Sequence, residues 1–223
     1  NEEYGVWLYG LNIFIFGSAL TLIAGAEVVV PAIIKNRRFS VQVMSAAFLV
    51  RTLASLVALA AVNIYVYCVS SDNQLMLNVA TLSLVYLLGE PFGVVINYFQ
   101  AETKMGPVAF IRLFGLTLRL VSIWLIFAFL KEPKNYLGLS RLIEATGGAV
   151  LCVWVFSNIR NKGNVKHLAV VNRSLIRLIM ARGLGLWPSL MFMYLFLRID
   201  KLYAKTAYGY GFFASYGIAT LII

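Results

Sequence analysis

Val41–Val69 reads VQVMSAAFLVRTLASLVALAAVNIYVYCV, a run with a single charge, Arg51. A helix needs roughly 20 apolar residues to cross the hydrocarbon core of a bilayer, so this stretch, segment B, is read as a membrane-spanning helix. Upstream, Val6–Ile34 forms segment A, joined to B by the basic connector Lys35, Asn36, Arg37, Arg38. Downstream, the polar turn Ser70, Ser71, Asp72, Asn73 leads into segment C, Leu75–Phe99. Segment D follows from Pro107 to Leu130, E over Leu137–Ile159, F over Gly183–Leu197 and G over Thr206–Ile223. The fold class that follows is all-α, a polytopic transmembrane helix bundle of about seven helices. Composition agrees: 61% of residues are hydrophobic, 13% are charged and the mean hydropathy is +0.84. A soluble domain is near half apolar and a quarter charged, so a soluble globule, a disordered chain and a secreted disulfide scaffold are excluded together.

Several segments carry irregularities. Segment A exceeds one crossing, which implies tilt or an interfacial last turn. Gly89, Glu90, Pro91 and Gly93 weaken or kink segment C near two thirds of its length. Pro107 suits the first turn of D, and Gly147 with Gly148 leaves a smooth patch on E where another helix can approach. Beyond E, Lys166, Arg173 and Arg177 share one helical face, the pattern of an interfacial helix on an anionic leaflet. Pro188 interrupts F, and Arg198, Ile199, Asp200, Lys201 read as the connector to G. The chain opens at Asn1 without a signal peptide's charged n-region and stops at Ile223 inside an apolar run, so a piece of a longer protein is expected.

Lys and Arg number 19 against 9 Asp and Glu, a net charge of +10. One set of connectors holds Lys35, Arg37, Arg38, Lys104, Arg160, Lys162, Lys166 and Arg173. The other holds Lys131, Lys134, Arg198, Lys201 and Lys205. The more basic set is placed in the cytoplasm.

Charges inside the spans speak to function, because each costs about 2.5 to 3.5 kcal/mol at the bilayer centre. Arg51, Arg112, Arg119, Arg141, Glu27, Glu90 and Glu144 must therefore face the bundle, water or one another. Arg51 lies too deep to reach the interface, and two readings stand level: a salt bridge to Glu27 or Glu90, or a ligand contact. Arg112 and Arg119 are seven apart on one stripe with Gly115, as in a basic cavity wall, although Arg112 also suits an interfacial anchor. Arg141 and Glu144, at i and i+3, can satisfy each other. The buried cations are all arginine, whose guanidinium matches phosphate oxygens bidentately, and their slight excess favours an anionic ligand.

No enzyme signature competes. His167, the single histidine, lies in a loop beside Lys166, and no phosphate-binding loop, dinucleotide fingerprint or serine with a base partner occurs. Cys68 and Cys152 lie in different apolar segments without ligand spacing, so neither a metal nor a disulfide is expected, and no cofactor is implied. Basic residues dispersed among spans do not make a nucleic-acid surface.

Four short motifs carry a family likeness. Glu3-Tyr4-Gly5 precedes a long apolar helix, Phe48 and Arg51 mark an arginine-bearing helix, Tyr98-Phe99-Gln100-Ala101 precedes Lys104, and Arg198-Ile199-Asp200-Lys201 precedes Tyr208-Gly209 and Ala214. In order and spacing they resemble the Wzx-type polysaccharide flippases of the multidrug/oligosaccharidyl-lipid/polysaccharide exporter superfamily. Pro91 after Glu90, and Tyr98 where an acidic residue or tryptophan is commoner, depart from that pattern. The resemblance implies family helices 2 to 8 of a two-lobe carrier of 12 to 14 helices. Residues 1–163 would form most of the N-terminal lobe, and 164–223 the interfacial helix and the start of the C-terminal lobe. It implies a non-enzymatic carrier in the bacterial inner membrane that moves a polyprenyl-pyrophosphate-linked oligosaccharide by alternating access for O-antigen or capsule synthesis. Its partners would be the lipid-linked oligosaccharide, membrane lipid, a polysaccharide polymerase and a chain-length regulator. Arg51, Arg112, Arg119 and Arg141 would bind substrate, and Glu27 and Glu90 are the candidates for a coupling ion. Two alternatives stand beside it: a drug or cation antiporter of the same superfamily using Glu27 or Glu90, and a membrane-embedded glycolipid transferase.

Overall fold

The computed structural model describes residues 2–130, 136–162 and 173–222. They are helical, with no strand among the described residues. The first span is composite: α1 (Glu2–Ser18), a 3-10 segment (Ala19–Ala24) and α2 (Ala26–Lys35). Next come α3 (Ser40–Val69), α4 (Asn73–Leu88) and α5 (Gly93–Ala101), then α6 (Met105–Phe129), α7 (Leu137–Lys162) and α8 (Arg173–Ile222). Among the described residues five helices are long and apolar enough to cross a membrane, and the pair α4 and α5, bent by 42°, makes a sixth. The chain is thus an all-α, multi-pass membrane bundle.

Side-chain size sorts the faces of α3. Its inward stripe is Ala46, Ala47, Val50, Ala54, Ala58 and Val62, all buried, whereas Leu49, Leu53, Val57 and Ile64 point outward. In lipid the outer face loses nothing by being apolar, and small inward residues let helices approach closely. Two cores result. One gathers Val29, Ile33, Val43, Ala47 and Phe99 from α2, α3 and α5. The other joins Tyr9, Val62, Leu75, Tyr86 and Phe213 from α1, α3, α4 and α8.

The bend in segment C falls where Gly89, Glu90, Pro91 and Gly93 place it, between α4 and α5. Segment A behaves differently from expectation. It is broken in mid-span: the 3-10 segment ends at Gly25, which is extended (φ −65°, ψ 177°), before α2 begins. The last connector also differs from expectation. Arg198, Ile199, Asp200 and Lys201 lie within α8, and the chain reverses instead at Gly209, whose φ of 77° belongs to the left-handed region that favours glycine. Charged side chains alone do not stop a helix. After Gly209 the chain returns along itself, so that the Tyr216 hydroxyl donates to Asp200 Oδ2 at 2.7 Å. Of the expected interfacial helix, Lys166 lies outside the described residues. Arg173 and Arg177 are exposed in the first turns of α8, with Ile179 buried beside them.

Ion pairs tie one end together. Glu102, after α5, accepts from Arg37 Nε and Nη2, each at 3.3 Å, and lies 3.8 Å from Lys104 Nζ. The α2–α3 and α5–α6 connectors therefore share one side of the bundle. At this end α5 finishes in a Schellman motif: Lys104 N–H donates to the Phe99 carbonyl at 2.9 Å and Thr103 N–H to Gln100 at 3.1 Å. Thr103 takes the glycine position of that motif with φ 55°. At the opposite end Asp72 caps α4, its Oδ1 accepting from the Gln74 and Leu75 amides.

Candidate functional site

Breaks in a membrane helix expose carbonyls that lipid cannot satisfy. In the first span, side chains from three other helices donate to carbonyls in and beside the break. Tyr86 of α4 donates its hydroxyl to the Phe14 carbonyl, Trp187 of α8 donates Nε1–H to Ala19 at 3.0 Å, and Arg51 of α3 donates Nε–H to Ala24 at 2.6 Å. Arg51 also donates Nη1–H to the Glu90 carbonyl at 3.0 Å, in the turn between α4 and α5. One guanidinium thus joins the two breaks. Gly93 makes room for it, since a Cβ there would lie 2.5 Å from Arg51 Nη1.

Beside the second break lies a partly open cavity of about 490 Å³ between α4, α5, α6 and α7. Gly89, Phe92 and Gly93 form its break-side wall, and Gly115, Gly148 and Cys152 help to form the wall opposite. Its charged lining residues are Arg112, Arg141 and Glu144. Arg141 Nη1 donates to Glu144 Oε2 at 3.2 Å, and Arg119 approaches the same oxygen with its Nε at 3.9 Å. That is within ion-pair range and beyond a hydrogen bond. The Nε–H groups of Arg119 and Arg141 are buried and have no acceptor.

These charges sit deep. Arg119 lies ten residues before Phe129 and fourteen after Met105, about 15 and 21 Å along the axis at the α-helical rise. Gly115 faces Glu144, a Cβ there standing 3.5 Å from Glu144 Cγ, and Gly147 packs on Leu118. The expected smooth patch on α7 thus divides: Gly147 serves the contact with α6, and Gly148 faces open space in the cavity. Two guanidinium groups, Arg119 and Arg141, share one carboxylate, which leaves a positive charge uncompensated together with two N–H groups that lack oxygen partners, and the exposed Arg112 adds a further charge to the cavity lining. Such a site favours an anion with several acceptor oxygens.

The structure brings Arg119 and Arg141 together on Glu144, places Arg112 in the lining of the adjoining cavity and sets Arg51 apart on the two breaks. Arg51 is 7% exposed and is absent from the cavity lining. Of the carboxylates named from the sequence, Glu90 lies against Arg51 and Thr21. Glu27 is exposed in the first turn of α2, with its Oε2 2.6 Å from where a Cβ on Gly25 would be. Glu144, read from sequence only as the partner of Arg141, is the carboxylate inside the cavity. Its second partner, Arg119, comes from a neighbouring helix, which spacing within one helix does not reveal. No family model matches the chain, and neither the curated proteins nor the solved structures provide a significant match.

Proposed function

We propose that the chain is part of a flippase that carries a polyprenyl-pyrophosphate-linked oligosaccharide across the bacterial inner membrane for surface polysaccharide assembly. The observation that carries this reading is the cavity lined by Arg112, Arg141 and Glu144, where Glu144 is shared between Arg141 and the adjoining Arg119, so that arginines outnumber the carboxylate. A pyrophosphate with a polar glycan cannot enter hydrocarbon without losing several kcal/mol for each unpaired group, and guanidinium groups replace the water around it. The polyprenyl tail stays in lipid. Two discontinuous spans support a transport role, because transporters build mid-membrane sites at such breaks.

A cation antiporter requires a carboxylate at membrane depth without a resident cation. Glu90 has Arg51 beside it, and Glu144 has two arginines, so the arrangement favours an anionic cargo. No residue need perform covalent chemistry. A carrier of this kind requires two conformations of similar energy, biased by its cargo and by the membrane potential, and it would work beside the polymerase and chain-length regulator of the same route.

The test is a leaflet-transfer assay in proteoliposomes that contain the full-length protein and a polyprenyl-pyrophosphate-linked oligosaccharide. Wild-type protein should move the lipid between leaflets, and Arg119→Ala should lower the rate at least about tenfold, the loss of a charge-assisted contact of about 1.4 kcal/mol or more. No transfer by wild type above protein-free vesicles would end the proposal.

A further inference from the structure

Glu144 occupies the place a ligand's oxygens would take. Its Oε2 is shared between Arg141 Nη1 at 3.2 Å and Arg119 Nε at 3.9 Å, and it bonds only the first. The carboxylate is stretched between two cations and completes the coordination of neither, while both Nε–H groups stay buried without an acceptor. Around it the wall is glycine: Gly115 faces its Cγ, and Gly148 on the same helix has open space. The remaining charged lining residue is Arg112, and the break-side wall of α4 and α5 offers Gly89, Phe92 and Gly93, with no charge. Nothing else in the lining neutralises the arginines.

We infer that Glu144 is the resident counter-anion of the cavity: it holds Arg119 and Arg141 when the carrier is empty and competes with an incoming diphosphate for the same two guanidinium groups. This rests on the reading of the cavity as a diphosphate site. A diphosphate diester brings two negative charges to Arg119 and Arg141, which have one carboxylate between them, and its oxygens can meet both vacant Nε–H groups. The glycines leave Glu144 room to swing aside. Affinity is thereby moderated, as a carrier requires, because a cargo held too tightly is not released.

Binding to the full-length protein in nanodiscs tests this with two probes, farnesyl pyrophosphate and inorganic pyrophosphate. Glu144→Gln removes the competitor and keeps the shape, so it should bind farnesyl pyrophosphate about five- to tenfold more tightly than wild type, in line with the loss of one competing charge contact. The gain should vanish in the double variant Arg119→Gln, Glu144→Gln. Should Glu144→Gln fail to accumulate, Glu144→Asp withdraws the carboxylate by one methylene, and a gain of about twofold to threefold is expected on the same grounds. Unchanged or weaker binding by these variants, with wild type binding well, overturns the counter-anion and leaves the flippase reading standing. Equal affinity for the two probes, with the gain present, supports the counter-anion and overturns the lipid-linked cargo. Absence of binding to every form overturns both.

Discussion

Arg51 shows how one side chain can serve two elements that its own helix never touches in sequence. Its bonds to the Ala24 and Glu90 carbonyls are the means by which two broken spans are joined, so Arg51→Ala strands the Ala24 carbonyl and leaves the Glu90 carbonyl with the Gly93 N–H alone, at 3.2 Å. At about 1–3 kcal/mol for a buried unsatisfied group, the variant should lose roughly 1–3 kcal/mol, seen as a lower membrane level and a lower thermal midpoint in detergent. Arg51→Lys, with a single ammonium for two carbonyls, should recover part of the loss. A normal midpoint for Arg51→Ala would separate Arg51 from the packing of the breaks and return it to the ligand question. Thr103 offers the opposite sign. A β-branched residue at φ 55° pays a backbone cost that glycine does not, so Thr103→Gly should raise the thermal midpoint by an amount equivalent to about 1 kcal/mol. The depth of Arg51 was legible in the run around it, whereas its partners were not. The sequence displays Glu27 and Glu90 as acidic candidates, but it does not display a carbonyl released by a helix break. The pair Arg141 and Glu144 was legible because helical spacing alone brings i and i+3 together; Arg119 joins only because Gly115 lets α6 lie close to Glu144.

Among the elements, α7 carries a direct test of the cavity. Gly148 lines it and has open space where a side chain would begin, so Gly148→Leu should fill the cavity without disturbing a packed contact. Membrane level and thermal midpoint should stay close to wild type while leaflet transfer of the lipid-linked oligosaccharide falls at least about tenfold, a barrier increase of about 1.4 kcal/mol. Full transfer by a stable variant would move the pathway elsewhere. Two breaks and one reversal shape the remaining elements, and they differ in how visibly they are encoded. The bend between α4 and α5 is spelled out by Gly89, Pro91 and Gly93, residues that oppose a regular helix by themselves. The break in the first span is hidden in Ala19–Ala24, an apolar run whose 3-10 form depends on donors from α3, α4 and α8 that lie far along the chain. At the C-terminal hairpin the charges at 198–201 are more conspicuous in the sequence than Gly209, where the chain turns. Helical geometry has no objection to charge at a membrane surface, while a positive φ ends a regular helix at once.

At the scale of the molecule, orientation rests on the connectors, and the chain carries its own reporter. It has two cysteines; Cys68 is exposed near the end of α3 that meets the Asp72 cap, and Cys152 is buried. With the Arg37–Glu102 end in the cytoplasm, a membrane-impermeant maleimide should label, on intact cells, a variant that retains Cys68 as its single cysteine, and the further change Cys68→Ser should abolish the signal. Labelling only after the membrane is opened would invert the bundle and with it the direction of transport. The donated bonds of the first span also bear on biogenesis. Arg51 and Tyr86 leave the ribosome soon after the segment they complete, but Trp187 is synthesised 168 residues after Ala19. Until α8 inserts, the Ala19 carbonyl has its partner within the 3-10 turn and lacks the indole bond that ties the first described span to α8. The span from α1 to α2 is consequently completed only after α8 has inserted, and a ribosome stalled between α7 and α8 leaves its nascent chain exposed to membrane quality control at the mid-span break.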